Sequence, residues 1–96
     1  MQITEVKVMV KSEPKLKGFA NVTFDNEFVV RGIKIIEGQK GLFISMPSKR
    51  GKDGKFRDIA HPINNEAREK IQKAILEEYN NIIAKKNSEN SKQEGT

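Results

Sequence analysis

The sequence predicts an α+β fold: an antiparallel sheet of four to five strands followed by one long C-terminal helix. Two observations predict it. In the first sixty positions, short segments that alternate apolar with polar residues or run rich in β-branched ones, the marks of strands, are separated by turn signals. After His61-Pro62-Ile63 the period lengthens to three or four, with Ala67, Ile71, Ile75, Tyr79, Ile82 and Ile83 on one helical face.

Each element follows from local chemistry. Val6, Val8 and Val10 alternate with Glu5, Lys7, Met9 and Lys11, which makes the first strand. Pro14 cannot donate to a ladder, so Ser12 to Lys15 is a loop. Gly18 to Phe24 alternates again, with Ala20, Val22 and Phe24 on one face, and Asp25-Asn26 marks a tight hairpin turn. Glu27 to Ile36 is β-branched and long, and Gly32 within it signals a bulge or a close backbone approach. Glu37 to Gly41 turns the chain, Leu42 to Met46 is a short strand stopped by Pro47, and Phe56 to Ala60 reads as the last strand. Asn64 or Asn65 can cap the helix, because its side-chain oxygen can accept from the free amides of the first turn. Glu66 near the helix start and Lys85-Lys86 near its end suit the helix dipole, and Glu66–Lys70 and Glu69–Lys73 are favourable i,i+4 pairs. Residues 1–86 form one domain, and residues 87–96, without an apolar side chain, are expected to be a disordered polar tail.

Composition limits what this domain can be. It has 96 residues, of which 35% are apolar, with a mean hydropathy of −0.66, so the core is thin. Apolar groups in Phe28 to Val30, Ile35-Ile36 and Leu42 to Ile44 fall on both faces of the central strands, and one helix covers one face. The simplest second cover is another copy of the chain, so a homodimer is expected. Cysteine is absent, which excludes disulfides and thiolate metal sites. No run is long and apolar enough for a membrane span, and no signal-peptide pattern opens the chain, so a cytoplasmic protein is expected.

Charge points to the partner. Pro47 to Arg57 holds Lys49, Arg50, Lys52, Lys55 and Arg57 against Asp53, a local +4 in a chain whose net charge is +5. Such a concentration attracts polyanions, above all nucleic acid. Gly51 and Gly54 let the backbone come close to a phosphate, and Arg50 or Arg57 can grip one bidentately. A solubilising hairpin tip is the competing explanation for the same run. The spacing is not that of a P-loop. Phe56, between Lys55 and Arg57, is the one candidate platform for base stacking; the other aromatics belong to strand patterns. Arg68 and Lys73 extend the positive surface if the helix start lies beside the loop. His61 is the only histidine. It and Asp58 lie three positions apart, which on a continuous strand puts them on opposite faces, so a structural role at the strand-to-helix junction is the better reading than catalysis. One histidine and scattered carboxylates make no metal site, and neither an enzyme nor a cofactor is expected.

Gly41-Leu42-Phe43-Ile44-Ser45-Met46-Pro47-Ser48-Lys49-Arg50, followed by Asp53 to Asn64, resembles the SpoVG family of bacterial septation proteins, the stage V sporulation protein G family. Asp25-Asn26-Glu27-Phe28-Val29-Val30 resembles it too, and the likeness runs over about Met1 to Asn80. The resemblance implies a small sheet-plus-helix domain, a homodimer, and a bacterial DNA- and RNA-binding regulator linked to septation and sporulation control. Carried over by position, it makes Lys49 and Arg50 the first contact candidates, then Arg57 and Arg68. At Gly51-Lys52 the chain departs from the family's less basic, Pro-containing pair, so Lys52 and Lys55 strengthen phosphate attraction here. The alternative expectation is a protein-interaction module acting on the division machinery without specific nucleic-acid binding.

Overall fold

The computed structural model describes the backbone of residues 1–94 and the side chains of residues 1–86. Strands β1 (Ile3–Val10), β2 (Leu16–Phe24), β3 (Phe28–Gly38) and β4 (Gly41–Ser45) form one antiparallel sheet in that order. Strands β5 (Ser48–Arg50) and β6 (Phe56–Asp58) form a separate two-stranded hairpin, and helix α1 covers Asn65–Glu94. The fold is α+β.

The β2–β3 turn has left-handed backbone at Asp25 (φ 52°) and Asn26 (φ 55°), the paired conformation whose twist matches that of the strands it joins. The turn is also tied to the chain start. Asp25 N–H donates to the Gln2 carbonyl at 2.8 Å, and Asn26 N–H to the Thr4 hydroxyl at 2.9 Å. Gly32 is the expected bulge. The β2–β3 register slips between Ala20 and Val22, Gly32 has φ +79°, and its amide donates to Asn21 Oδ1 at 3.3 Å. A Cβ there would meet nothing within 4 Å, so the left-handed backbone and not crowding calls for glycine. At Gly18 the reason is the reverse: a Cβ would lie 2.7 Å from the Met9 carbonyl of β1.

One face of the sheet makes the core. Ala20, Val22, Phe24, Ile33, Ile35, Ile44 and Met46 pack against Ile71 and Ile75 of the helix. The helix starts where the sequence predicts it. Asn64 Oδ1 accepts the Ala67 amide at 2.8 Å, and the Asn64 carbonyl accepts that of Arg68 at 3.2 Å. The i,i+4 pairs expected at Glu66–Lys70 and Glu69–Lys73 are not among the ion pairs of the described residues. Lys70 Nζ instead donates to the Met1 carbonyl at 2.7 Å, pinning the chain start to the helix. The helix backbone continues to Glu94, past the Lys86 end that apolar spacing suggests. The disorder expected for residues 87–96 falls on side chains and terminal residues outside the described part.

Two boundaries differ from the sequence reading. The last strand is shorter than Phe56 to Ala60, and it joins β5 and not the main sheet. Pro47 ends β4, and the chain then leaves the sheet. No alternation marks Ser48 to Arg50 as a strand, because both of its faces are exposed and polar.

Candidate nucleic-acid interface

The cationic segment is the β5–β6 hairpin. Its register pairs Ser48 with Asp58, Lys49 with Arg57 and Arg50 with Phe56. The Ile59 amide donates to the Pro47 carbonyl at 2.7 Å and closes the base. The tip is closed by the Gly51 amide on the Lys55 carbonyl at 2.8 Å and by the Gly54 amide on the Gly51 carbonyl at 3.1 Å. Gly54, at φ +83°, makes that turn possible.

Strand geometry splits the cations between two faces. Lys49 and Arg57 share one. Arg50 and Phe56 share the other, with Ser48 and Asp58. Arg57 is held by Asp53 in a bidentate pair, with Nη2 2.7 Å from Oδ2 and Nη1 3.3 Å from Oδ1. Its guanidinium lies across Gly51, where a Cβ would come within 2.6 Å of Nη1. Lys49, Arg50, Lys52 and Lys55 are exposed and in no ion pair of the described residues. Four of the five loop cations therefore remain free to meet an anion, and Arg57 must share itself with Asp53.

The Arg57 guanidinium first, and then the Lys55 amide, hold the Asp53 carboxyl below its ordinary 3.8. A depressed carboxyl strengthens its pairing at pH values above the ordinary one and loses it as pH falls through the lowered value. The pair is therefore intact at neutral pH and opens only in acid below about 3.8. Following the Asp53 carboxyl carbon by NMR should show a midpoint below that of a free aspartate. Asp53→Asn should release Arg57 and tighten polyanion binding; an unchanged affinity would show that Arg57 takes no part.

The start of α1 lies beside the hairpin. Arg68 lines a shallow, mostly polar groove with Phe56, Arg57, Asp58, His61 and Pro62. Lys73 does not reach it; it borders a hollow with Gln2, Ile3 and Lys70 on the β1 side. His61 does not bond Asp58. Its Nδ1 lies 3.0 Å from the Pro62 carbonyl, which can only accept, so Nδ1 is the donor. Sequence reasoning weighed Asp58 and His61 as a catalytic pair and preferred a structural role for His61 at the strand-to-helix junction, but missed both as walls of a groove with Phe56 and Arg68. No spacing rule reveals that, since strand β6 and the helix meet only through the tertiary fold. A second hollow, nearly all apolar, opens on the other side of His61, between Phe24, Phe28, Met46, Ile63 and Ile71.

The SpoVG family model matches residues 1–81. The chain belongs to the SpoVG family. It is 64% identical over 85 residues to "Putative septation protein SpoVG" of Clostridium beijerinckii, across 88% of this chain and 93% of that one. The protein of the same name from Clostridium acetobutylicum is 59% identical over 95 residues, covering 98% and 97% of the two chains. That of Acetivibrio thermocellus is 60% identical over 85 residues, covering 88% and 90%. These SpoVG relatives carry a name that refers to septation. Among the described residues no helix is long and apolar enough to cross a membrane.

Proposed function

We propose that this SpoVG protein is a dimeric nucleic-acid-binding regulator of septation and sporulation that works in the cytoplasm, and that its β5–β6 hairpin grips phosphates. The observation that carries the reading is the hairpin itself: Lys49 and Arg50 project from a short ladder, and Lys52 and Lys55 from its tip, with no ion-pair partner among the described residues. A tip designed only for solubility has no need of a built turn with free cations on both faces. Arg68, in the adjoining groove, extends the positive surface onto the helix.

Dimerisation is supported by the sheet face that the helix leaves open. By register, Met9, Phe19, Val29, Ile36 and Phe43 lie there. Met9 is 51% exposed, Val29 42% and Phe43 40%. A second copy would cover them. Sedimentation equilibrium at micromolar concentration should give the mass of two chains; the mass of one would remove the dimer from the reading.

Two copies each neutralising about three to four phosphates give a slope of about −5 to −7 for log affinity against log salt on a duplex. Filter binding across a salt series measures it. A slope near zero, or no retention at low salt, would overturn phosphate gripping.

The apolar hollow between Phe28 and Ile63 favours a second reading, a module that docks on a division protein. Ile63 is 89% exposed and Phe28 64%. Sequence-dependent affinity separates the two readings: if competitor DNA of any sequence displaces a probe equally at physiological salt, the docking module gains.

A further inference from the structure

We infer that the groove between the hairpin and the start of α1 receives one unpaired nucleobase, guanine by preference, so that the preferred ligand is single-stranded. The inference rests on the nucleic-acid reading above and names the form of nucleic acid that its site takes.

Three features carry it. The first is Phe56, 70% exposed at the mouth of the groove. A phenylalanine on a polar hairpin contributes nothing to the core, and it is flanked by cations on its own strand and faced by Arg50 across the ladder. A flat apolar ring in a positive field is what a base needs to stack upon while its phosphates are held. In a duplex the base faces are buried against each other, so a ring of this kind can be used only by an unpaired base.

The second is Asp58. It lies on the same hairpin face as Phe56, two residues along, and lines the same groove. It forms no ion pair among the described residues, although Arg57 is its neighbour and lines the same groove, because the Arg57 guanidinium is held by Asp53. An ionised carboxylate only accepts hydrogen bonds. It repels a phosphate and welcomes a base edge rich in donors. Guanine offers adjacent N1–H and N2–H₂ donors, whereas adenine, cytosine and uracil or thymine each present fewer donors together. Within a cationic surface, one free carboxylate thus orients the strand, base inward and backbone outward.

The third is the ring of cations placed to receive that backbone. Arg50 stands across the ladder from Phe56, its guanidinium near Gly54, and Arg68 stands on the helix side of the groove. A nucleotide whose base lies on Phe56 would have a basic group on either side for its flanking phosphates.

The test is fluorescence anisotropy with the full chain and a short oligothymidine strand carrying one central guanine. The comparison probes replace that guanine by inosine, replace it by an abasic residue, or pair the whole strand with its complement. The abasic strand should bind about tenfold to a hundredfold more weakly, the range for loss of one stacked base. The duplex should also bind more weakly, despite its greater charge. Phe56→Ala and Phe56→Leu should each weaken the guanine strand to the abasic level, while Phe56→Trp keeps the affinity. Asp58→Asn should erase the difference between guanine and inosine, which lacks the 2-amino group.

Equal affinity for the guanine, abasic and duplex probes would overturn the inference and leave phosphate gripping intact. A Phe56→Ala protein that binds like the original would do the same, and so would one whose sedimentation mass changes, since the ring would then belong to a protein contact. Failure of every probe to bind at low salt would overturn the nucleic-acid reading together with this one.

Discussion

Removing Lys49 and Arg50 together should lower the affinity of the protein for a nucleic-acid duplex by about a thousandfold at about 0.1 M salt if two copies bind as the proposed dimer. The magnitude comes from counterion release. Each phosphate neutralised contributes roughly 0.9 to the slope of log affinity against log salt, and therefore about one decade between 0.1 M and 1 M salt. In the proposed dimer, two side chains on each of two copies make four contacts, or between three and four decades. The same substitutions in a protein that acts as a monomer would cost about two decades, so the size of the loss also reports how many hairpins engage one ligand. Neither residue touches the core: both are exposed, and the hairpin ladder that holds them is made by backbone groups. Lys49→Ala with Arg50→Ala should therefore leave the circular dichroism spectrum and the melting curve unchanged. Filter binding of original and variant proteins at fixed salt reads the result. Equal retention by a folded variant would end the assignment of this hairpin. Lys52→Ala with Lys55→Ala should act in the same direction, and by less if the tip lies beyond the main contact.

The largest effect on stability is expected at Ile75. Its side chain is wholly buried, with no exposure at all, in the core that the helix shares with Ile35 and Ile44 of the sheet. Ile75→Ala removes three carbons from a site closed by neighbours on two elements, so relaxation can fill only part of the cavity. A loss of about 3 kcal/mol is expected, in the middle of the range for buried isoleucine truncation. For a domain of this size that is a large share of a total of roughly 5–10 kcal/mol. It corresponds to a drop in melting temperature of about 15 °C. Ile63→Ala is the control. Ile63 is as large but 89% exposed, and its truncation should change stability by less than about 0.5 kcal/mol. Urea unfolding of the two variants side by side distinguishes them by the midpoint. Similar midpoints would mean that the helix is not clamped to the sheet through Ile75.

The elements legible from the residues were those with a buried face. Val22 in β2 and Ile33 in β3 face the core, and burying them requires an alternation that can be seen without coordinates. Gly32 and Asp25-Asn26 were legible because their backbone conformations are ones that few other residue types adopt. Asn64 was legible as one of two possible caps, and only the bond from the Ala67 amide chooses between them. The β5–β6 ladder was not legible, because a hairpin exposed on both faces imposes no pattern on its side chains. Nor were the helix-face pairs: Lys70 found a carbonyl at the far end of the chain more accessible than the glutamate one turn away.

The site divides in the same way. The concentration of positive charge between Pro47 and Arg57 is a property of composition and would exist in any fold of this chain. Family membership, too, is a matter of residue identity in order, and the stretch from Gly41 to Asn64 was enough to suggest it. Which cations are available is a different matter. Asp53 lies four residues before Arg57, and it could as well have faced Lys49 or Lys55; the turn at Gly51 and Gly54 brings it to Arg57 and leaves the other four without an ion pair among the described residues. The groove that sets Phe56 and Asp58 beside Arg68 exists only because the helix begins against the hairpin. Charge adds along a sequence regardless of shape, whereas pairing depends on distances between side chains of separate elements, and those distances are set when the helix packs on the sheet.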